Sequence, residues 1–245
     1  MTSNSPLVLL PGTLCDERVW RAQIDALSGE RQIFVCVLGS ELTLPEEVAS
    51  LLATLPPRFS LAGFSLGGIA AFEFYRQAPQ RIERLALIAA NARADNEANH
   101  APRRQLAARV AAGDLGRVLR DALLPNYLSP ACGRSDVLAS EISAMAKATA
   151  SRFARQVEYA CGRPDSRALL SSIDVPVLIL YGEDDRVCPV ERQLEMADEI
   201  PHATLHAVPA CGHFVLLEAP DVCSAALTRW LNATTQEGPT TGEAL

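Results

Sequence analysis

Short apolar runs recur along the chain, with stretches of helical periodicity between them. Six runs, at 7–10, 33–37, 59–64, 85–89, 175–181 and 203–208, are near-continuously apolar and predict buried strands. Helical patterns lie between most of them, at 18–27, 45–55, 66–77, 190–200 and 221–231. Pro45 suits a first helical turn, and Pro79 stops the third helix. Strands alternating with helices predict an α/β fold with a mostly parallel, doubly wound sheet covered on both faces.

The rhythm breaks once. Residues 93–170 hold no strand pattern, only helical ones at 102–112, 115–124, 136–149 and 151–161. An all-helical insertion before the penultimate strand predicts a cap over the carboxyl edge of the sheet, where open α/β sheets bind ligands. The expected division is a sheet core at 6–92 and 171–232, a cap at 93–170, and a polar, disordered tail at 233–245.

Composition narrows the function classes. Of 245 residues, 49% are hydrophobic and 21% charged, enough for a large core and unlike disordered, collagenous or coiled-coil chains. No apolar run approaches the ~18–20 residues of a membrane span, and the first ten residues contain no base. We therefore expect no membrane partner, no secretory signal and a cytoplasmic location. A net charge of −7 argues against nucleic-acid binding. Seven cysteines, an odd number with none at CxxC spacing, read as reduced thiols with no bound metal. Charge is unevenly spread: 93–170 carries twelve bases and eight acids, so the rest holds −11.

The chemistry centres on Gly63-Phe64-Ser65-Leu66-Gly67, which joins the third strand to a helix. A sharp strand-to-helix turn holds a serine in strained backbone geometry and pushes its hydroxyl outward. Its two arms approach closely, so Gly63 and Gly67 must lack side chains. The helix N-terminus behind Ser65 offers unpaired amides to a developing oxyanion. A hydroxyl needs a base before it is a useful nucleophile. His213, in the loop after the last strand, reaches the same sheet edge; His100 in the cap is the alternative. His206 lies within the last strand and His202 just ahead of it, so both read as packing or surface residues. The base in turn needs an acid, and the run Gly182-Glu183-Asp184-Asp185 after the fifth strand supplies two candidates, Asp184 and Asp185.

On GFSLGG, Gly182-x-x-Asp185-x-x-x-Pro189 and Gly212-His213-Phe214, the chain resembles the α/β-hydrolase superfamily over about residues 6–232. The likeness is to its small, capped, cofactor-free esterases and lactonases, and Gly162-Arg163-Pro164-Asp165-Ser166-Arg167 is similar to enol-lactonase-like members. The resemblance implies an α/β-hydrolase fold, no cofactor, and Asp185 as the acid, with Asp95 as fallback. It implies an oxyanion hole of the Leu66 amide and one from Pro11-Gly12-Thr13-Leu14, assigned to Thr13. The expected function is hydrolysis of a small-molecule ester or lactone by a monomer or homodimer. A lyase or carbon–carbon bond hydrolase on the same triad, and a small-molecule receptor, are the alternatives. Arg152 and Arg155, three apart, can share a helix face and hold a substrate carboxylate if that face turns inward; the alternative is that they are solvated or pair with Glu158 and the acidic remainder of the chain.

Overall fold

A computed structural model describes residues 4–233; the rest of the expected tail lies outside the described residues. Six strands form one sheet: β1 (Leu7–Leu10), β2 (Ile33–Val35), β3 (Phe59–Phe64), β4 (Ile82–Ile88), β5 (Val177–Gly182) and β6 (Ala203–Val208). Every pairing is parallel, in the order β2-β1-β3-β4-β5-β6. Neighbouring β1, β3, β4 and β5 form the buried interior. The two edge strands depart from the expectation of buried strands: β2 is half-buried throughout, and Thr204 and Leu205 of β6 face solvent. Each has one neighbour only, so less of its surface is covered.

Among the described residues, eleven α-helices accompany the sheet. Before the insertion come α1 (Arg21–Leu27), α2 (Leu44–Thr54) and α3 (Leu66–Gln77). The insertion holds α4 (His100–Ala111), α5 (Leu115–Val118), α6 (Ser135–Thr149), α7 (Phe153–Gly162) and α8 (Arg167–Leu170). After it come α9 (Val190–Glu199), α10 (Val215–Glu218) and α11 (Pro220–Asn232). A Thr43–Glu46 capping box starts α2.

Strand side chains alternate between two cores, as the period of 2 requires. Leu85 and Leu87 of β4 face the core built with α2, α3 and α9 through Val48, Phe74 and Met196. Ala86 and Ile88 face the other, built with α1 and α11 through Leu27, Leu227 and Trp230. The sheet is therefore doubly wound.

Among the described residues, the segment between β4 and β5 contains no strand. Its helices enclose a third core of Ala107, Val110, Val118, Ala146, Phe153 and Val157, together with Leu14 from the loop after β1. That shared core docks the insertion over the carboxyl end of β1. No helix among the described residues is long and apolar enough to cross a membrane.

Candidate active site

The turn from β3 into α3 places Ser65 at φ 53°, ψ −112°, in the left-handed region that a residue with a Cβ occupies only under strain. The turn is held from three sides. Ser65 N–H donates to the Ile88 carbonyl, and the Ser65 carbonyl accepts from Ile69. A Cβ on Gly63 would fall well inside 3.0 Å of the Gly67–Gly68 backbone, and one on Gly67 equally close to Leu10 of β1. The elbow therefore exists only because both positions are bare.

His213 follows β6, and its ring is tilted 5.3 Å from Phe64 and 5.9 Å from Tyr127. Its Nε2 lies 2.9 Å from Ser65 Oγ and its Nδ1 2.8 Å from Asp185 Oδ2. This geometry calls for the tautomer protonated on Nδ1, leaving Nε2 to accept the serine proton. Asp185 is fully enclosed, and its other oxygen accepts from the Val187 and Cys188 amides at 2.7 and 2.8 Å. Those bonds fix the carboxylate against His213. Asp184 points elsewhere, accepting from the Ser129 hydroxyl at 2.5 Å.

The hydroxyl of Ser65 opens into a cavity of about 180 Å³. Gly12 brings the loop after β1 against it: a Cβ there would sit 3.2 Å from Ser65 Cβ. The Leu14 amide is taken by Gln156 Oε1 at 2.9 Å. Thr13 lines the cavity, and among the described residues the Thr13 and Leu66 amides have no hydrogen-bond partner. Two donors thus remain beside the serine, as an oxyanion hole requires. Cys188 also faces the cavity, but burial, with Asp185 adding, pushes its thiol up to about 12. That direction favours the thiol over the nucleophilic thiolate.

A model of the alpha/beta hydrolase family matches residues 7–226. The chain belongs to the alpha/beta hydrolase family. Within it, the chain is 27% identical to the pimeloyl-[acyl-carrier protein] methyl ester esterase of Nitrosomonas europaea, over 90% of this chain and 93% of that one. Among solved structures it is similar to a thermophilic esterase from Thermogutta terrifontis, malate bound, with a TM-score of 0.84 and 26% identity over 94% and 90% of the two chains. The enol-lactonase of Burkholderia xenovorans LB400 matches with a TM-score of 0.81 over 94% and 92%; at 21% identity this is a likeness of fold.

The structure brings Ser65, His213, Asp185, Leu66 and Thr13 to this one cavity or its immediate wall, with Gly63 and Gly67 behind the serine. It does not bring Arg152 and Arg155 there. Arg152 donates to Ser40 Oγ at 2.6 Å, and Arg155 is exposed. The reason is the amphipathic character of α7: Phe153, Gln156, Val157 and Ala160, at i, i+3, i+4 and i+7, turn toward the cavity. The arginines fall outside that stripe.

The bases on the cavity wall are instead Arg103 and Arg163. Asp95, the fallback acid, is occupied by them: Arg103 Nε donates to its Oδ2 at 2.9 Å and Arg163 Nη2 to its Oδ1 at 3.2 Å. Asp95, His100 and Cys161 each bring one ligand atom within 4.8 Å of the others. With two guanidiniums on its carboxylate, that cluster suits an anion better than a cation. Sequence spacing carries no signal for Arg103, and the Gly162–Arg167 segment by itself assigns Arg163 no role. Gln156 carries no sequence signal either, yet it ties α7 to the loop after β1 by accepting from the Leu14 amide, and donates to the Leu38 carbonyl at 3.0 Å.

Proposed function

We propose that this alpha/beta hydrolase is a serine esterase or lactonase for small carboxylic substrates, using Ser65, His213 and Asp185. His213 takes the Ser65 proton as Oγ attacks the substrate carbonyl. The Leu66 and Thr13 amides hold the tetrahedral oxyanion; such a donor typically contributes ~10²–10³ in turnover. Collapse expels the alcohol, which His213 protonates, and leaves an acyl ester on Ser65. Water, deprotonated by His213, then attacks that ester, releasing the acid and restoring the hydroxyl. Asp185 keeps the imidazole in register and stabilises its protonated form without itself taking the proton.

The observation that carries this reading is His213, held between Ser65 and Asp185 at 2.9 and 2.8 Å beside an open cavity. The ester-cleaving relatives support the reaction class. The test is turnover of 4-nitrophenyl acetate and butyrate by the wild type and by Ser65→Ala. We expect hydrolysis that the substitution lowers by roughly 10⁴-fold or more. Equal rates for the two proteins sink the proposal.

A further inference from the structure

We propose that Arg103 and Arg163 bind a carboxylate of the substrate, so that the preferred esters or lactones are acidic. This deepens the serine-hydrolase reading and rests on it. The two arginines come from opposite ends of the insertion, Arg103 on α4 and Arg163 just after α7, yet both line the same cavity as Ser65.

Two guanidiniums share one carboxylate. Asp95 is the acid that both contact, and its side chain is only 3% exposed. The other acid at hand, Asp185, is already engaged by His213 and two amides. Glu158, on α7, is drawn outward to Arg104. Two guanidiniums on one carboxylate leave a formal surplus of one positive charge at the wall, with Arg163 enclosed and Arg103 40% exposed. Burial pulls the Arg163 guanidinium below its usual value, opposed by Asp95 and reinforced by Arg103.

Donors are also left over. Arg163, with a side chain 7% exposed, gives Nε to the Arg93 carbonyl, one Nη1 proton to Ala160 and one Nη2 proton to Asp95. A guanidinium has five N–H groups, so one remains on each terminal nitrogen. Arg103 directs Nε and Nη2 at Asp95, and its Nη1 has no partner among the described residues. The backbone bonds make Arg163 rigid, which suits planar two-point recognition of a carboxylate. The rest of the cavity wall is largely apolar, with Ile69, Leu106, Leu123, Phe153 and Val157. A substrate with a scissile carbonyl, a short carbon chain and a terminal carboxylate matches the chemistry of these lining groups.

The test compares half-esters with neutral twins. Monomethyl succinate, glutarate and adipate are each paired with the analogue whose free carboxyl is a carboxamide. In the wild type, the best acidic ester should exceed its twin in kcat/KM by roughly 10–100-fold, as expected for a charged hydrogen-bonded contact. The difference should lie mainly in KM. Arg103→Met should bring the ratio close to one, and Arg163→Lys should reduce it, whereas Arg155→Met, off the cavity, should leave it intact. Succinate and glutarate should also bind Ser65→Ala in calorimetry, and this binding should be lost with Arg103→Met added. That arm needs no turnover, so a failure of the hydrolase reading leaves it decisive. Equal handling of acids and amides by the wild type, or a preference that survives Arg103→Met, overturns the inference. So does the absence of dicarboxylate binding to Ser65→Ala.

Discussion

The floor and the roof of the cavity are built by different means. The floor consists of loops at the carboxyl ends of β1, β3, β5 and β6, and backbone geometry fixes its reacting groups. Ser65 is strained in place, Gly63 and Gly67 have no room for a methyl, and Asp185 is held by two amides. The roof is helical, and side chains hold it down: Gln156 on the loop after β1, Arg163 and Arg103 on Asp95. The contrast suggests that the reaction class is set by the floor and selectivity by the roof. Substitutions below should abolish chemistry or the fold, and those above should change rates and preferences by smaller factors.

The largest effect separates three aspartates. Asp185→Asn should lower kcat by roughly 10⁴-fold, because the imidazole loses its tautomer and orientation. Asp184→Asn and Asp95→Asn should cost far less, since their carboxylates serve Ser129 and the arginine pair. Steady-state kinetics on the three variants decide this; near-normal turnover in Asp185→Asn would place the acid elsewhere. Next in size is Gly67→Ala. The added methyl collides with the backbone of Leu10 in β1, which is paired on both sides by β2 and β3 and has little room to yield. A loss of about 3 kcal/mol or more in urea unfolding is expected, roughly a 10²-fold shift in the folding equilibrium.

The roof should give smaller numbers. Gln156→Ala strands the Leu14 amide and the Leu38 carbonyl, and frees the loop that carries Thr13. We expect about a tenfold fall in kcat, with stability down by about 1–3 kcal/mol. The smallest effect concerns Glu218, which accepts from the Gly212 and Ser129 amides and so joins the histidine loop to the roof. Burial raises its carboxyl above the usual 4.5, partly offset by those two amides. A raised carboxyl contributes stability in the protonated form that is lost as pH rises through the folded value. The stability of the wild type relative to Glu218→Gln should therefore fall as pH rises from about 4.5, then level off. Urea midpoints of both proteins across this range measure it, and a flat or rising difference contradicts the assignment.

Legibility in the sequence follows the same division. The elbow was readable because strain and close approach demand glycine at two fixed offsets from a serine, and few other structures do. His213 was readable because it follows a strand, and strand ends at one sheet edge converge; the same argument leaves Asp184 and Asp185 open, and only the family resemblance favours Asp185. Strand limits shifted by a few residues where an apolar run passes into a loop, as at 33–37, where pairing ends at Val35. The roof was not readable. Its surplus of bases was visible, but the orientation of an amphipathic helix depends on which face it buries. The apolar stripe of α7, Phe153 and Val157, won the inward position and left Arg152 and Arg155 outside. Arg103 and Arg163 meet through Asp95 only after the chain has folded back on itself, a contact that local spacing does not encode.

Ser65, activated by His213, is proposed to be the one covalent nucleophile of the cavity. The most direct test is reaction with a fluorophosphonate, followed by peptide mass mapping of the adduct. One adduct per chain is expected, on Ser65, absent from Ser65→Ala and strongly slowed in His213→Ala. Labelling at another residue, or labelling that survives Ser65→Ala, contradicts it.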